Sequence, residues 1–280
     1  MVAPIKRERR KYLQEMIGVF DSGYGGLTIL QGIHCALPEY STIYFGDNSR
    51  APYGERSDEE IIEFTRQGVE LLFQQGCIVV VLGCNTASAA ALRKLQQEWL
   101  QHAYPDRRIL GILVPTVEVI STLPHEKIGV LATAHTVATN AYEREIHKLN
   151  SNIEVIQYAC NNLAGMIEVF GAEDERVQQD AEKCVYGLLS VAMPNAILLG
   201  CTHYEFIAEY ISSLIPKETT VIRQPELVAE SLMHYLARHP EIDARMTKEG
   251  KKIYLTSGNV GEVSTKSSNL MHEKIEFQEV

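Results

Sequence analysis

Short apolar runs that alternate with longer amphipathic segments constrain the fold of this chain most strongly. The runs are rich in isoleucine and valine and mostly lack polar alternation, which is typical of strands covered on both faces. They are Ile17–Phe20, Thr42–Phe45, Ile78–Leu82, Ile109–Leu113, Ile128–Leu131, Ile153–Gln157, Ala196–Leu199, Thr220–Ile222 and Ile253–Thr256. Between them, Asp58–Gly76 has apolar side chains at helical spacing, with Asp58 as the expected N-cap. Repeated strand–helix units predict an α/β fold with parallel, doubly wound sheets.

Two similar pairs of segments indicate that the chain contains two related halves. IGVFDSG at Ile17–Gly23 resembles IGVLATA at Ile128–Ala134, and VVLGCNT at Val80–Thr86 resembles ILLGCTH at Ile197–His203. The two pairs occur in the same order and at nearly the same separation. We therefore expect two pseudo-symmetric domains; a chance similarity between ordinary strand ends is the alternative.

The net charge and the apolar runs of the sequence indicate which kinds of partner and which cellular location to expect. The 280 residues carry a formal net charge of −10, which does not favour nucleic acid or an anionic membrane surface. The basic run Lys6–Lys11 is interpreted as a solvated N-terminal arm. No apolar segment follows it as in a signal peptide, and no run has the length of a membrane span. We expect a cytoplasmic protein with reduced thiols.

The six cysteines fall into two groups. None forms a C-x-x-C pair, and their spacing matches no zinc signature, so no metal site is predicted. Cys84 and Cys201 each end an apolar strand, follow a glycine and precede a predicted helix. A helix N-terminus favours a thiolate, and we expect a lowered pKa for both thiols. The remaining four are interpreted as small buried hydrophobic residues: Cys35, Cys77, Cys160 and Cys184.

Two thiols in equivalent places suit proton transfer at carbon. Disulfide exchange usually uses adjacent thiols, and metal binding requires three or four ligands. Inversion of a stereocentre instead needs one base on one face and one acid on the other. Each thiol also needs a helper that exchanges its proton. Asp21 is the candidate helper of Cys84, and His203 that of Cys201.

The segment Asp21–Gly26 does not fit a phosphate-binding loop. It lacks the G-x-G-x-x-G spacing and a following lysine, and the Asp21 carboxylate would repel a phosphate. A carboxylate and a hydroxyl, from Asp21 and Ser22, suit an ammonium group better. A plain strand–helix turn is the alternative. Pro52-Tyr53-Gly54 has the composition of a turn.

At these motifs the chain resembles a known family. FDSGYGGL, APYGERS, GCNTASAAAL and GCTHY, in this order and spacing, are similar to bacterial glutamate racemases of the aspartate/glutamate racemase superfamily. The resemblance runs from about Ile17 to about Leu236. It implies two similar α/β domains with the active site in the cleft between them. It also implies racemisation of L- and D-glutamate without any cofactor, a supply of D-glutamate for peptidoglycan, and a homodimer.

The resemblance assigns roles residue by residue. The catalytic positions are Cys84, Cys201, Asp21 and His203. It implies Cys84 acts on D-glutamate and Cys201 on L-glutamate. The substrate-binding positions are Asp21, Ser22, Tyr53, Gly54, Asn85, Thr86, Thr133, Thr136, Thr202 and His203. Glu168 occupies the place of a family glutamate near the second cysteine, with an exposed helix carboxylate as the alternative.

The chain departs from the family pattern at four places. Ala132 replaces the glycine of a G-T-x-x-T segment, and Asn161 replaces the proline of A-C-P. Glu205 stands where a proline usually follows C-T-H-[YF]. A D-S-G segment is replaced by Arg223–Glu226. These differences put in doubt the rim of the second domain and any effector site rather than the reaction.

We expect residues 1–114 and 223–280 to form the first domain and residues 115–222 the second. Two other functions are compatible with the motifs. One is another racemase of the superfamily, acting on aspartate or hydantoins. The other is a non-catalytic amino-acid sensor or protein-binding module that kept the fold. The complete set of two cysteines and two helpers favours an enzyme.

Overall fold

Parallel strands form two sheets in the computed structural model, which describes residues 14–124 and 126–280. The basic run at 6–11 lies outside the described residues. The strands are β1 Met16–Asp21, β2 Thr42–Gly46, β3 Cys77–Leu82, β4 Arg108–Gly111, β5 Lys127–Ala132, β6 Glu154–Ala159, β7 Ala196–Leu199, β8 Thr220–Ile222, β9 Lys252–Thr256 and β10 Gln278–Glu279. The first sheet has the order β10-β9-β2-β1-β3-β4, and the second has the order β6-β5-β7-β8. The predicted α/β class with two parallel sheets is confirmed.

Helices connect successive strands. They are α1 Gly26–Ala36, α2 Asp58–Gln74, α3 Asn85–Ala90, α4 Leu92–Lys94, α5 Gln101–Ala103, α6 Leu113–Thr122, α7 Ala134–Ala138, α8 Ala141–Leu149, α9 Leu163–Phe170, α10 Glu175–Val191, α11 Ala208–Leu214, α12 Pro225–Arg238, α13 Pro240–Asp243 and α14 Val260–Met271. A π-helical segment, Leu95–Leu100, joins α4 to α5, and 3₁₀ turns occur at Tyr53–Glu55 and Thr202–Ile207.

The two sheets repeat one topology. The order β2-β1-β3-β4 in the first corresponds to β6-β5-β7-β8 in the second. Gly83 donates its backbone N–H to the carbonyl of Phe20 at 2.7 Å, and Gly200 donates in the same way to Leu131 at 2.7 Å. The expected equivalence of the two strand–turn junctions is therefore confirmed, and each junction places a cysteine at the carboxyl end of its sheet.

A shared hydrophobic core joins the two sheets. One cluster of buried side chains includes Val81 from β3 and Val130 from β5, together with Val117 from α6 and Leu232 from α12. Residues 14–111 and 252–279 supply the first sheet, and residues 127–222 supply the second. The domain boundaries at 114/115 and 222/223 stay a prediction, since α6 itself spans the first of them.

Two local predictions were wrong in detail. The fourth strand ends at Gly111, because Ile112 and Leu113 turn into α6. The apolar run continues through that junction, so its pattern does not mark where the strand ends. Ser57, not Asp58, caps α2: its hydroxyl accepts from the Glu60 N–H, and the Glu60 carboxylate accepts from the Ser57 N–H in a capping box. The exposed strand β10 was not predicted.

Candidate active site

Cys84 lies where β3 gives way to α3. Its backbone is extended, with φ −117° and ψ 124°, and its sulfur accepts the Ala87 N–H at 3.5 Å as the N-cap of the helix. The Ser22 hydroxyl lies 3.6 Å from the same sulfur. The thiol therefore joins the end of β3 to the turn after β1, which are neighbouring strands of one sheet.

Cys201 occupies the corresponding position after β7. Its backbone is also extended, and the 3₁₀ turn Thr202–Ile207 follows it. The sulfur lies 3.8 Å from Nδ1 of His203, and Nε2 of that ring lies 2.7 Å from Oε1 of Glu168. A carboxylate, an imidazole and a thiol thus form a continuous hydrogen-bonded chain from α9 to the end of β7.

The expected lowering of the Cys84 pKa was wrong. Burial raises the pKa of the Cys84 thiol to about 12, and the nearby Asp21 carboxylate adds to the rise. The Ala87 N–H and the Ser22 hydroxyl act in the opposite direction and are outweighed. Desolvation of a charge at a buried site exceeds what one helix N–H returns. Cys84 is therefore a neutral thiol near neutral pH.

His203 has the opposite character. Burial lowers the pKa of its imidazole, but the hydrogen bonds to Cys201 and Glu168 outweigh burial and raise that pKa well above its ordinary value. The ring is therefore a cation near neutral pH, held between the Glu168 carboxylate and the Cys201 sulfur. A positive charge at this distance stabilises a thiolate.

Asp21 ends β1 and is completely buried. Burial raises the pKa of its carboxyl to about 6, although the nearby His203 and the Gly23 N–H lower it. Oδ1 accepts the Gly23 N–H at 2.7 Å, and Thr202 Oγ1 lies 3.5 Å from Oδ2. Asp21 therefore connects the turn after β1 to the turn that carries Cys201.

A cavity of about 320 Å³ lies between the carboxyl ends of the two sheets. Eleven of the residues singled out from the sequence line it: Ser22, Tyr53, Gly54, Cys84, Asn85, Thr86, Thr133, Glu168, Cys201, Thr202 and His203. Asp21 and Thr136 lie behind this lining and contact it through Thr202 and Thr86, respectively. The volume is within the range of small-molecule sites.

Three threonine hydroxyls connect the two sheets at one side of the cavity. Thr86 Oγ1 lies 3.2 Å from Thr133 Oγ1 and 3.4 Å from Thr136 Oγ1. Thr133 caps α7 by accepting the Thr136 N–H at 3.2 Å, so its hydroxyl is fixed by the local chain. The hydroxyls of Thr86 and Thr133 line the cavity and can donate to or accept from a polar ligand.

Tyr53 and Gly54 form the neighbouring wall. The Tyr53 hydroxyl donates to Oδ2 of buried Asp47 at 2.6 Å, which anchors the 3₁₀ turn to the end of β2. A Cβ atom at Gly54 would meet the Cβ atom of Thr133 at 3.4 Å, a close but ordinary contact. Pro52-Tyr53-Gly54 therefore forms one wall of the cavity, in which Tyr53 is buried, Gly54 is half-buried and Pro52 is exposed.

The glycines of the segment Asp21–Gly26 allow close approach across the cleft. A Cβ atom at Gly23 would lie 2.2 Å from Oε1 of Glu168, and one at Gly25 would lie 2.3 Å from Oγ1 of Thr202. None of the three glycines in this segment has a positive φ. At Gly25, space rather than backbone conformation requires glycine, because the His203 backbone nitrogen would lie 2.9 Å from the added Cβ atom; at Gly23 the close atom is the end of the Glu168 side chain.

Sequence reasoning missed a buried polar group behind the cavity. Gln224, part of the segment that departs from the family pattern, contacts Asn85, Tyr142 and Thr116. The departure itself was the signal for Gln224, whereas nothing in the sequence singled out Tyr142 or Thr116. The adjacent departures form ion pairs with one another, since Arg223 binds Glu205 and also Glu209 at 2.9 Å.

Two further properties concern the described residues as a whole. Within 14–124 and 126–280, no group of three or more His, Cys, Asp or Glu side chains is placed to hold a metal ion. Across the same residues, every helix is too short or too polar to cross a membrane. Independence from a cofactor stays a prediction.

Comparison with known proteins agrees with this geometry. A glutamate racemase from Caulobacter sp. (strain K31) is 41% identical over 269 residues, covering 88% of this chain and 93% of that protein. A crystal structure of a glutamate racemase isoform from Bacillus anthracis has a TM-score of 0.86 at 30% identity, covering 96% of this chain and 98% of that one. The structure of glutamate racemase from Francisella tularensis in complex with D-glutamate has a TM-score of 0.82 at 29% identity, covering 95% and 96%.

The family model for Asp/Glu/hydantoin racemases matches residues 18–231 of this chain. This range contains both cysteine junctions and the whole lining of the cavity. The chain belongs to the Asp/Glu/hydantoin racemase family.

Proposed function

We propose that this chain interconverts L- and D-glutamate by a two-base mechanism that uses Cys84 and Cys201. One observation carries the proposal: two cysteines end equivalent strands of two repeated sheets and line one cavity. Glutamate, rather than aspartate, is supported by the relatives, which are named glutamate racemases at 35–41% identity over most of the chain.

The proton transfers follow from the surroundings of the thiols. With L-glutamate bound, the Cys201 thiolate beside the His203 cation takes the α-proton, and the electron pair stays on the α-carbon. Cys84, a neutral thiol, then donates its proton to the opposite face and becomes a thiolate. The product is D-glutamate, and the reverse reaction exchanges the two roles.

Fixed dipoles at the cavity would stabilise the carbanion-like transition state. The hydroxyls of Ser22, Thr86 and Thr202 and the amide of Asn85 all line the cavity and are buried. Such groups need little reorganisation when charge develops, and a water-excluded site strengthens their effect. We propose that they hold the carboxylates and the ammonium group of glutamate. Asp21 acts through Thr202 rather than on substrate directly.

The first experiment is circular dichroism of L-glutamate incubated with the purified protein, without added pyridoxal phosphate or metal. We expect the signal to decay to zero as the racemate forms. The same assay with L-aspartate separates the other racemase functions. If the folded protein leaves the circular dichroism signal of both L-glutamate and L-aspartate unchanged, the result would favour the amino-acid sensor or protein-binding module.

The sharper experiment separates the two thiols. Cys84→Ser and Cys201→Ser replace a thiol by a much weaker acid in nearly the same volume, and each should lower racemisation by several orders of magnitude. A substrate that loses a leaving group after deprotonation needs only one base. Each variant should then eliminate from one enantiomer and not from the other, with opposite preferences.

If both folded variants lost elimination activity equally toward both enantiomers, the two thiols would not be separate bases on opposite faces of the substrate. Near-normal racemisation by either variant would remove that cysteine from the mechanism. A role in supplying D-glutamate for peptidoglycan, a homodimeric assembly and a cytoplasmic location are further parts of the proposal, supported by the family relationship.

A further inference from the structure

Three buried side chains behind the cavity form a closed ring of hydrogen bonds. Asn85 donates from Nδ2 to Oε1 of Gln224 at 2.8 Å, and Gln224 donates from Nε2 to the Tyr142 hydroxyl at 3.2 Å. The Tyr142 hydroxyl completes the ring by donating to Oδ1 of Asn85. All three residues are at most 2% exposed, so the ring lies out of contact with bulk water.

The ring connects the two halves of the molecule. Asn85 is the first residue of α3, directly after Cys84, and Tyr142 lies on α8 beside the second sheet. Gln224 precedes α12, where the chain returns from the second sheet to the first. Of these residues only Asn85 lines the cavity. Gln224 and Tyr142 therefore act on a ligand only through Asn85.

Taken alone, the ring could run in either direction. If both amides were turned over, Gln224 would donate to Asn85, Asn85 would donate to Tyr142, and Tyr142 would donate to Gln224. A fourth residue removes this symmetry. The Thr116 hydroxyl donates its only proton to the Ile112 carbonyl at 2.7 Å, which leaves its oxygen as an acceptor.

That acceptor fixes the direction of the whole ring. Nε2 of Gln224 donates to Thr116 Oγ1 at 2.9 Å, so Oε1 of Gln224 must point toward Asn85. An acceptor at that position requires Nδ2 of Asn85, because Oδ1 there would place two oxygens face to face. The Asn85 amide has one further N–H, which remains for a ligand at the cavity that Asn85 lines.

We propose that Gln224 is a positioning residue that fixes the orientation of the Asn85 amide, so that the cavity receives an N–H donor for a carboxylate of the substrate. The direction is set from Ile112 through Thr116 to Gln224. A reversed Asn85 would present an oxygen, which repels a carboxylate and suits an ammonium group. This inference rests on glutamate as the proposed substrate.

Substitutions at two buried positions outside the cavity, Thr116 and Gln224, test the inference. Thr116→Val keeps the shape but removes the acceptor, so both ring directions become available. If both directions are equally populated, the population of the correct direction is halved, which predicts a rise in KM for glutamate of about two-fold. Thr116→Ser keeps the hydroxyl and should leave KM unchanged. Gln224→Met removes the partner of Asn85 altogether, and we expect KM to rise about ten-fold, the size of one hydrogen bond to a charged group.

The effect should fall on KM more than on kcat, because neither substitution touches a thiol. A second measurement needs no turnover: the ¹H–¹⁵N signals of the Asn85 side-chain amide, assigned with Asn85→Asp. They should stay unchanged in Thr116→Ser, and in Thr116→Val they should shift or split as the amide takes both orientations.

Unchanged KM and unchanged amide signals in Thr116→Val would overturn the inference, as would equal effects of the valine and serine substitutions. If Gln224→Met does not fold, the Thr116 pair decides the question alone. Absence of glutamate racemisation by the unaltered chain would instead count against the proposed function, while the amide signals would still report whether Thr116 sets the ring direction.

Discussion

At the scale of single residues, the two cavity thiols lie in unlike electrostatic surroundings. The buried carboxyl group of Asp21 lies near Cys84. Burial raises the pKa of the Cys84 thiol to about 12. Cys201 lies 3.8 Å from the His203 ring, and the hydrogen bonds of that ring to Cys201 and Glu168 outweigh burial and raise the His203 pKa well above its ordinary value. The two thiols therefore differ in their neighbours, since a buried carboxyl group lies near Cys84 and an imidazole lies beside Cys201.

Asp21 leads to a prediction about stability and pH. Its pKa is raised from 3.8 to about 6, chiefly by burial. The folded protein thus holds this proton more tightly than the unfolded chain. Its contribution to stability is fully present below pH 3.8 and is lost as the pH rises through about 6. Asp21→Asn removes this loss, so the variant should gain stability relative to the unaltered protein between about pH 4 and pH 7.

The expected gain is on the order of 3 kcal/mol in the free energy of unfolding, from about two pKa units. Urea denaturation of both proteins at pH 4.5 and pH 7.5 would measure it. A constant difference between the two proteins across this range would show that Asp21 does not titrate there. Racemisation should fall in the same variant if Asp21 assists the site, which would separate stability from activity at one residue.

At the scale of elements, the turn after β1 approaches the turn after β7 closely enough to exclude any side chain at Gly25. A Cβ atom there would lie 2.7 Å from Nδ1 of His203 and 2.9 Å from its backbone nitrogen. The backbone contact matters most, because it has no freedom to rotate away. The relative position of the two turns therefore depends on glycine.

Gly25→Ala should separate the two turns and disturb the contact between His203 and Cys201. We expect kcat/KM for glutamate to fall at least ten-fold, with a loss of about 1–3 kcal/mol in stability from overpacking. Gly261→Ala, in the first turn of α14, is the matched control, since a Cβ there would meet nothing closer than 3.5 Å. Racemisation kinetics and urea denaturation measure both effects; full activity in Gly25→Ala would show that the turns can shift without consequence.

At the scale of the whole molecule, each sheet has a hydrophobic cluster of its own, and a third cluster is shared between the two sheets. Side chains of α6 and α12 belong to one buried cluster together with residues of β3 and β5. Gln224 and Tyr142 add hydrogen bonds between the same parts of the chain. The two halves therefore support each other, even though each repeats the same topology.

We accordingly expect a single cooperative unfolding transition. Breaking the contact between the sheets would expose apolar side chains of both, so neither sheet should melt alone. Differential scanning calorimetry would show one peak whose calorimetric and van't Hoff enthalpies agree. Two separated transitions would mean that the halves unfold independently and that the shared cluster contributes little to either.

Much of this protein is determined by its sequence alone. Apolar runs identified nine strands, because a strand covered on both faces needs a continuous apolar surface. The similarity of the two G-C junctions identified Cys84 and Cys201, and parallel sheets bring the carboxyl ends of their strands to the edge where ligands bind. Strand ends and caps were less certain, since the apolar run at Gly111–Leu113 and the pair Ser57-Asp58 each allow more than one boundary.

Only the tertiary structure decided the properties that depend on neighbours distant in sequence. The pKa of Cys84 rises because the folded chain buries it near Asp21, which outweighs the local effect of its helix. The orientation of Asn85 depends on Gln224, 139 positions along the chain. Local sequence patterns carry the periodicity of strands and helices, whereas desolvation and the direction of hydrogen bonds arise from groups that come together only when the chain has folded.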